Sequence, residues 1–314
     1  MSGLPLVTGA TGFAGSHLVD HLLEHHPRVA AWSNPNGRGL RRDDDRVEWA
    51  AVDLLDAAAV AGAIASLTPS AIYHCAGVAD VAGSWHQPAH ALKVNALGTH
   101  HVLEAVRRAG LQCPVLITGS ALVYRTSTEP LDESSPIGPA NPYGFSKLSQ
   151  EMVATGATDC RAFIARPFNH AGPRQSTAYV TSRFAYQIAA IEAGLRKPVL
   201  HVGNLDSRRD ITDVRDTVRA YRLIVDSGAP HRPYNVCSGT AQRIGDLLEL
   251  LVGLARVPIE IEVDPALLRP ADNPIVLGHF GRLEAECHWR PSIPIEQTLG
   301  DLLEYWRERT AAEP

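Results

Sequence analysis

Leu4-Pro5-Leu6-Val7-Thr8-Gly9-Ala10-Thr11-Gly12-Phe13-Ala14-Gly15 carries a short apolar run into a turn punctuated by three glycines. A helical pattern follows, with His17, Leu18, His21, Leu22 and Leu23 on one face as far as Pro27. Strand, glycine turn and helix in this order form the context of a phosphate cradle. Gly9 permits the tight turn, Gly12 lets a ligand approach the backbone, and Gly15 lets the helix pack on the strand. A pyrophosphate would then sit at the positive helix N-terminus. The same glycines also fit a tight turn without a ligand.

Working outward, the apolar segments alternate with helical patterns. Strands are expected at residues 29–33, 47–52, 71–77, 111–118 and 161–166. Helices are expected at 56–67, at 89–109 with Asn95 inside, and from Pro142 onward. Alternation of this kind predicts an α/β fold, a Rossmann-type doubly wound parallel sheet. Ligands collect at the carboxyl ends of such strands, and Gly9, Asp53, Gly77, Ser120 and the Tyr143 helix all fall on that rim. After residue 167 the pattern becomes turn-rich, which predicts a smaller mixed α/β substrate-binding lobe. The dinucleotide-binding domain is read as 1–167 with returning segments at about 209–237, and the lobe as 168–208 and 238–314.

The second strand ends at Ser33-Asn34 where an NAD site usually has a carboxylate, and Arg38, Arg41 and Arg42 follow. Guanidinium groups there could hold a 2′-phosphate, which favours NADP(H), with NAD as the alternative. They could equally pair with Asp43, Asp44 and Asp45 in a solvated loop. Asp53 could accept a bond from an adenine amino group.

Asn141-Pro142-Tyr143-Gly144-Phe145-Ser146-Lys147 opens a helix, with Pro142 at its first position. Tyr143 and Lys147 are i and i+4, so phenol and ammonium share one face. A cation there is expected to lower the phenol's pKa and make it an acid or base near neutrality. Lys147 is one of only three lysines, with Lys93 and Lys197, so chance placement is an unattractive reading. Arg174, Arg208, Arg209 and Arg269 lie in or beside loops of the second half, near Asn169, where they could clamp a substrate's phosphates.

Bulk properties narrow the classes. The chain has 314 residues, a net charge of −5 and no run approaching a membrane span. That excludes a basic nucleic-acid binder and predicts no membrane partner. Five scattered cysteines and a start without a leader pattern predict free thiols and a cytoplasmic location. No metal is expected.

Thr8-Gly9-x-x-Gly12-x-x-Gly15, the Asp53 strand end, Asn95, Ser120, Tyr143-x-x-x-Lys147 and Arg166-Pro167-Phe168-Asn169 together resemble an extended short-chain dehydrogenase/reductase acting on nucleotide sugars. Residues 166–175, 202–214, 234–239 and 268–272 are similar to its GDP-mannose branch. The resemblance implies catalysis by Ser120, Tyr143 and Lys147. It implies a dinucleotide held by Gly9, Thr11, Gly12, Phe13, Gly15, Ser33, Asn34, Arg38, Asp53, Leu54, Ala76, Gly77, Asn95, Tyr143 and Lys147. It implies a nucleotide sugar, GDP-linked, at Asn169, Arg174, Val180, Arg209 and Arg269, and a homodimer. The reaction implied is NADPH-dependent reduction of a 4-keto-6-deoxy sugar, GDP-4-keto-6-deoxymannose giving GDP-rhamnose. The alternative is a 4-epimerase with retained NAD. One departure bears on this choice. Ser120 is followed by Ala121-Leu122, without the acidic residue that 4,6-dehydratases use to eliminate water, which argues against dehydration and makes the serine loop look more like that of a 4-epimerase.

Overall fold

In a computed structural model, the structure describes residues 3–37, 39, 41–268 and 273–311. The first half alternates as expected: β1 (Pro5–Thr8), α1 (Phe13–Leu23), β2 (Val29–Ser33), β3 (Val47–Ala51), α2 (Ala57–Leu67) and β4 (Ala71–His74). There follow α3 (Val81–His86), α4 (Pro88–Leu92), a π-helical turn (Lys93–Leu97), α5 (Gly98–Arg108), β5 (Val115–Thr118), α6 (Pro142–Gly156) and β6 (Ala162–Pro167). The second half comprises β7 (Asn169–Ala171), α7 (Val180–Glu192), β8 (Val199–Val202), β9 (Arg208–Asp213), α8 (Val214–Ser227), β10 (Pro233–Val236) and β11 (Ala241–Arg243). It closes with α9 (Ile244–Gly253), β12 (Glu260–Val263), β13 (Ile275–Val276), α10 (Gly281–Cys287) and α11 (Ile295–Ala311).

Seven parallel strands form the main sheet in the order β10-β6-β5-β4-β1-β2-β3. Both faces are covered, which is why its strands read as nearly continuous apolar runs. Leu18 and Leu22 of α1 pack with Val218, Tyr221 and Ile224 of α8 against Val7, Leu116 and Phe163. On the other face, Val60 and Ile64 of α2, Val102 and Val106 of α5 and Ala154 of α6 cover Leu6, Ile72 and Ile117. The fold is thus a doubly wound α/β sheet. Strand order reverses between β1 and β4, so a crevice opens above their carboxyl ends, where such sheets bind ligands.

The remaining strands stand apart. β9 pairs antiparallel with β11 and parallel with β7 and β13, and β8 pairs with β12. They pack on α7, α9 and α11 through Phe184, Ile188, Leu247, Leu251, Leu299 and Leu302.

Three elements differ from the sequence reading, the first being the fourth strand, expected over 71–77, which ends at His74. The segment 111–114 is a loop, and the fifth strand starts at Val115. The single helix expected over 89–109 is interrupted by the π turn at Lys93–Leu97, a one-turn bulge of the kind that occurs within α-helices, frequently at functional sites.

Candidate active site

The glycine turn has the sterics its spacing implied. Gly9 has φ +66°, and a Cβ on it would lie 2.6 Å from the Ala76 Cα. On Gly15 it would come within 2.2 Å of the Gly9 carbonyl oxygen. Any side chain at either position would force apart β1, β4 and α1. Gly12 caps α1 without a side-chain acceptor, and the first turn carries no acidic residue. The leading N–H groups of α1 are therefore not satisfied by side chains, an arrangement suited to a phosphate. Thr11 lies half-buried in the same turn. Phe13 stacks on His170, with ring centroids 5.5 Å apart and planes 7° from parallel.

At the end of β2, buried Ser33 accepts a hydrogen bond from Arg41 Nη2 at 2.8 Å. The Arg41 guanidinium lies 5.7 Å above the Trp49 ring. Its neighbour is committed differently: Arg42 pairs with Asp44 and Asp20, and Arg46 also pairs with Asp44. Among the described residues no carboxylate pairs with Arg41. Asn34 accepts from the Asn36 N–H at 2.9 Å, and Asp53 Oδ1 accepts from the Leu55 N–H at 2.9 Å, both tightening exposed turns. Leu54 is buried against Gly98. Arg38 lies outside the described residues.

Beyond β4, Gly77 leaves open the space that Asn95 and Lys147 border. A Cβ there would lie 2.7 Å from Asn95 Oδ1 and 3.4 Å from Lys147 Nζ. Asn95, fully buried in the π turn, accepts from the Val78 N–H at 2.8 Å and donates to Ser146 Oγ at 2.8 Å. Ser146 Oγ in turn donates to the Tyr143 carbonyl at 2.7 Å. The π turn therefore ties the β4 loop to the first turn of α6.

α6 starts as its sequence dictates, with Asn141 Oδ1 accepting from the Gly144 N–H at 2.8 Å and Pro142 next. Lys147 Nζ lies 6.0 Å from the Tyr143 ring centroid. It donates to the Thr118 carbonyl at 2.8 Å and to Gln150 Oε1 at 3.0 Å. Burial lowers the lysine's pKa to about 8, opposed by nearby Cys75 and Glu151. Ser120 caps the short turn after β5, accepting from the Leu122 N–H at 3.1 Å, and its hydroxyl faces the Tyr143 phenol.

One expectation is corrected here. Tyr143 does not have a lowered pKa. Burial raises it well above the usual phenol value, Tyr179 adds to the rise, and the Ser120 hydroxyl opposes it. The lysine's hydrogen bonds are directed at Thr118 and Gln150, so desolvation of the phenol outweighs the cation beside it.

The second half supplies the facing wall. The Tyr179 hydroxyl donates to the Ala79 carbonyl at 3.3 Å, placing its ring beside Tyr143, and Val180 follows it, exposed at the start of α7. Asn169 is exposed on β7. Arg209 Nη1 donates to the Asn273 carbonyl at 2.7 Å. Arg174, with φ +72°, turns toward α1 and pairs with Asp20, next to Arg41, Arg42 and Trp49 around a cavity of about 260 Å³. Arg269 lies outside the described residues. Sequence reading missed Tyr179 as a neighbour of Tyr143, and the buried trio Glu151, Arg166 and Tyr124. Arg166 pairs with Glu151 at 2.8 Å and donates to the Tyr124 hydroxyl at 2.9 Å, linking α6 to β6. Their only signal was a glutamate one helical turn after Lys147.

The geometry matches a known group of proteins. The family model described as GDP-mannose 4,6 dehydratase matches residues 6–302. The chain is 36% identical over 313 residues to GDP-6-deoxy-D-mannose reductase of Pseudomonas aeruginosa, with 98% of each covered. It is 25% identical to a GDP-mannose 4,6-dehydratase of Vibrio cholerae, over 95% of this chain and 92% of that one. The solved structure of RMD from Pseudomonas aeruginosa complexed with NADPH superposes with a TM-score of 0.85 at 35% identity, covering 98% of this chain and 100% of the other. Thermus thermophilus UDP-glucose 4-epimerase in complex with NAD gives 0.84 at 28% identity, covering 96% and 98%. With the matched model spanning most of its length, the chain belongs to the GDP-mannose 4,6-dehydratase family of extended short-chain dehydrogenases/reductases.

Proposed function

We propose that the chain is an NADPH-dependent reductase of a GDP-linked 4-keto-6-deoxy sugar, turning GDP-4-keto-6-deoxymannose into GDP-rhamnose. The observation that carries this reading is the Ser120 hydroxyl facing the Tyr143 phenol, with only Ala121 and Leu122 after the serine. Ketone reduction needs a proton donor and a hydrogen bond to the developing alkoxide, and Tyr143 and Ser120 supply these. Elimination of water needs a further acid–base pair, which Ala121 and Leu122 cannot provide. The relative at 36% identity carries the name of a reductase, in keeping with this.

The residues present fit a nicotinamide dinucleotide, which when bound supplies the hydride. The open N-terminus of α1 receives the pyrophosphate, with Thr11 and Phe13 lining the turn. Arg41 and Ser33, with Asn34 beside them, hold the 2′-phosphate, a role that the family resemblance also gives to Arg38. Asp53 and Leu54 border the adenine, and Ala76, Gly77 and Asn95 shape the floor. Lys147 bonds the nicotinamide ribose. Asn169, Arg209 and Arg269 hold the nucleotide diphosphate, Val180 lies near the base, and Arg174 acts from the α1 side. In domain terms, residues 1–167 with α8 and β10 (214–236) carry the dinucleotide, and the remainder binds the sugar nucleotide; the returning segment starts at 214 and not at 209, because β9 pairs with β7, β11 and β13 in the smaller sheet.

Leu92, Phe145 and Met152 are large apolar side chains left exposed on the adjoining helices α4 and α6, and they support a homodimer formed there. All five cysteines are free, in keeping with a cytoplasmic location. The decisive assay supplies GDP-4-keto-6-deoxymannose and follows NADPH absorbance, beside a nucleotide-sugar epimerisation assay without added cofactor. Stoichiometric NADPH oxidation with a 6-deoxyhexose product is expected. Interconversion of 4-epimers with no NADPH consumed would make the chain an epimerase.

A further inference from the structure

The hydrogen bonds of Lys147 lead into the protein through an unbroken buried chain. Gln150 Oε1 accepts a hydrogen bond from Lys147 Nζ at 3.0 Å, and Gln150 Nε2 donates to Thr99 Oγ1 at 2.9 Å. Thr99 Oγ1 donates to the Asn95 carbonyl at 2.7 Å and lies 3.0 Å from His74 Nε2. His74 Nδ1 lies 2.8 Å from Thr8 Oγ1, which accepts from the Ala76 N–H at 3.2 Å. Thr8, His74, Asn95, Thr99 and Gln150 are all 0% exposed, and Lys147 is 4% exposed.

The direction of every proton in this chain is determined. An ammonium only donates, so Gln150 must turn its carbonyl oxygen to Lys147 and its amide nitrogen to Thr99. Thr99 has one hydroxyl proton, which goes to Asn95. It must therefore accept from His74, which fixes the Nε2–H tautomer and leaves Nδ1 to accept from Thr8. Burial, with Lys147 nearby, lowers the His74 pKa to about 3, so the ring stays neutral. From Gln150 to Thr8 every member is neutral, and the charge sits on the Lys147 ammonium at one end of the chain.

The chain also touches each wall of the crevice. Thr8 immediately precedes Gly9, His74 ends β4 before Ala76 and Gly77, Asn95 sits in the π turn, and Lys147 projects from α6. An ammonium has three donors, and among the described residues two are taken, by Thr118 and Gln150. The third is left for the space beside Gly77.

We infer that Gln150 and Thr99 are positioning residues for Lys147: the neutral chain from Thr8 through His74 locks the Gln150 amide, and that amide aims the remaining lysine N–H into the crevice. This rests on the reading of Lys147 as the ribose ligand. The other titratable groups facing Lys147 are His74 and Cys75 from β4 and Tyr143 and Glu151 from α6. Arg166 of β6 pairs with Glu151, and Tyr221 of α8 lies behind Cys75 and Tyr143. Glu151 is thus already compensated, so a change at Gln150 acts on Lys147 directly.

The test compares Gln150→Met, Gln150→Glu, Thr99→Val and Thr99→Ser with the unmodified protein and with Lys147→Ala. NADPH affinity is measured by calorimetry across pH, and turnover is measured separately. Gln150→Met should weaken NADPH binding about tenfold, the usual cost of losing a hydrogen bond to a charged group, and Thr99→Val, which loses only neutral bonds, should weaken it about threefold to fivefold. Loss of the acceptor should move the alkaline limb of binding to lower pH. Gln150→Glu, which keeps an acceptor and adds a negative charge, should move it to higher pH, and Thr99→Ser should restore affinity. Unchanged affinity and pH limb in Gln150→Met and Thr99→Val would overturn the inference, as would equal losses in Thr99→Val and Thr99→Ser. Should Gln150→Met not fold, the Thr99 pair decides the matter. Wild-type binding and turnover in Lys147→Ala would instead overturn the role given to the lysine.

Discussion

Lys147 stands one helical turn from Tyr143, its Nζ 6.0 Å from the phenol ring centroid, yet it is hydrogen-bonded to Thr118 and Gln150 and leaves the phenol protonated. In the free protein the pair therefore consists of a lysine whose charge is weakly held and a tyrosine whose burial keeps the proton on its phenol.

Replacing Tyr143 by phenylalanine removes the proton donor and little else. Turnover should fall by about a hundredfold to ten-thousandfold, the usual worth of general acid catalysis, with NADPH affinity close to wild type. Steady-state kinetics beside calorimetric NADPH binding checks both halves. Full activity in this variant would remove the phenol from the mechanism.

The buried lysine gives a stability signature with a definite sign. Its pKa is about 8 in the folded protein, below the ordinary lysine value of 10.5. Between those two pH values the unfolded chain binds more protons, so this group makes stability rise with pH across that window. Lys147→Met removes the effect. Urea unfolding at pH 7.5 and about pH 9.5 should show the wild type gaining on the variant by roughly 1–2 kcal/mol, since each pKa unit is worth about 1.4 kcal/mol.

Cofactor choice should depend on Arg41 more than on Arg42, because Asp20 and Asp44 already hold Arg42. Arg41→Ala should raise the KM for NADPH about tenfold or more and leave NADH nearly unaffected, since a charge-assisted bond to phosphate is lost in one case only. Ser33→Asp places a carboxylate at the strand end and should reverse the preference. Equal kcat/KM for the two cofactors in the wild type would contradict the assignment.

Glu151 and Arg166 form a buried ion pair that joins α6 to β6. Glu151→Ala leaves the guanidinium buried without its carboxylate, and a loss of about 3–5 kcal/mol is expected from urea unfolding. The double change Glu151→Leu with Arg166→Met should recover most of that loss. If the single variant is as stable as the wild type, the pair is not holding the helix.

Much of this molecule was legible in the chain itself. The run from Leu4 to Gly15, the alternation of apolar strands with helical faces, and the spacing of Tyr143 and Lys147 are local patterns. Their geometry is set by backbone periodicity, so the doubly wound sheet and the shared rim follow from them. The missing carboxylates at Ser33 and after Ser120 are equally matters of residue identity. The tertiary structure decided what depends on long-range packing and desolvation. Burial reversed the expected pKa of Tyr143, the helix expected over 89–109 opened into a π turn around Asn95, and Asp20 of α1 was brought to Arg42 while Arg41 was left on Ser33. Arg174 was turned toward Asp20, and Tyr179 was brought across to Tyr143 from a segment 36 residues further along. None of these contacts has a period in the sequence, because each joins groups that only the folded sheet places side by side.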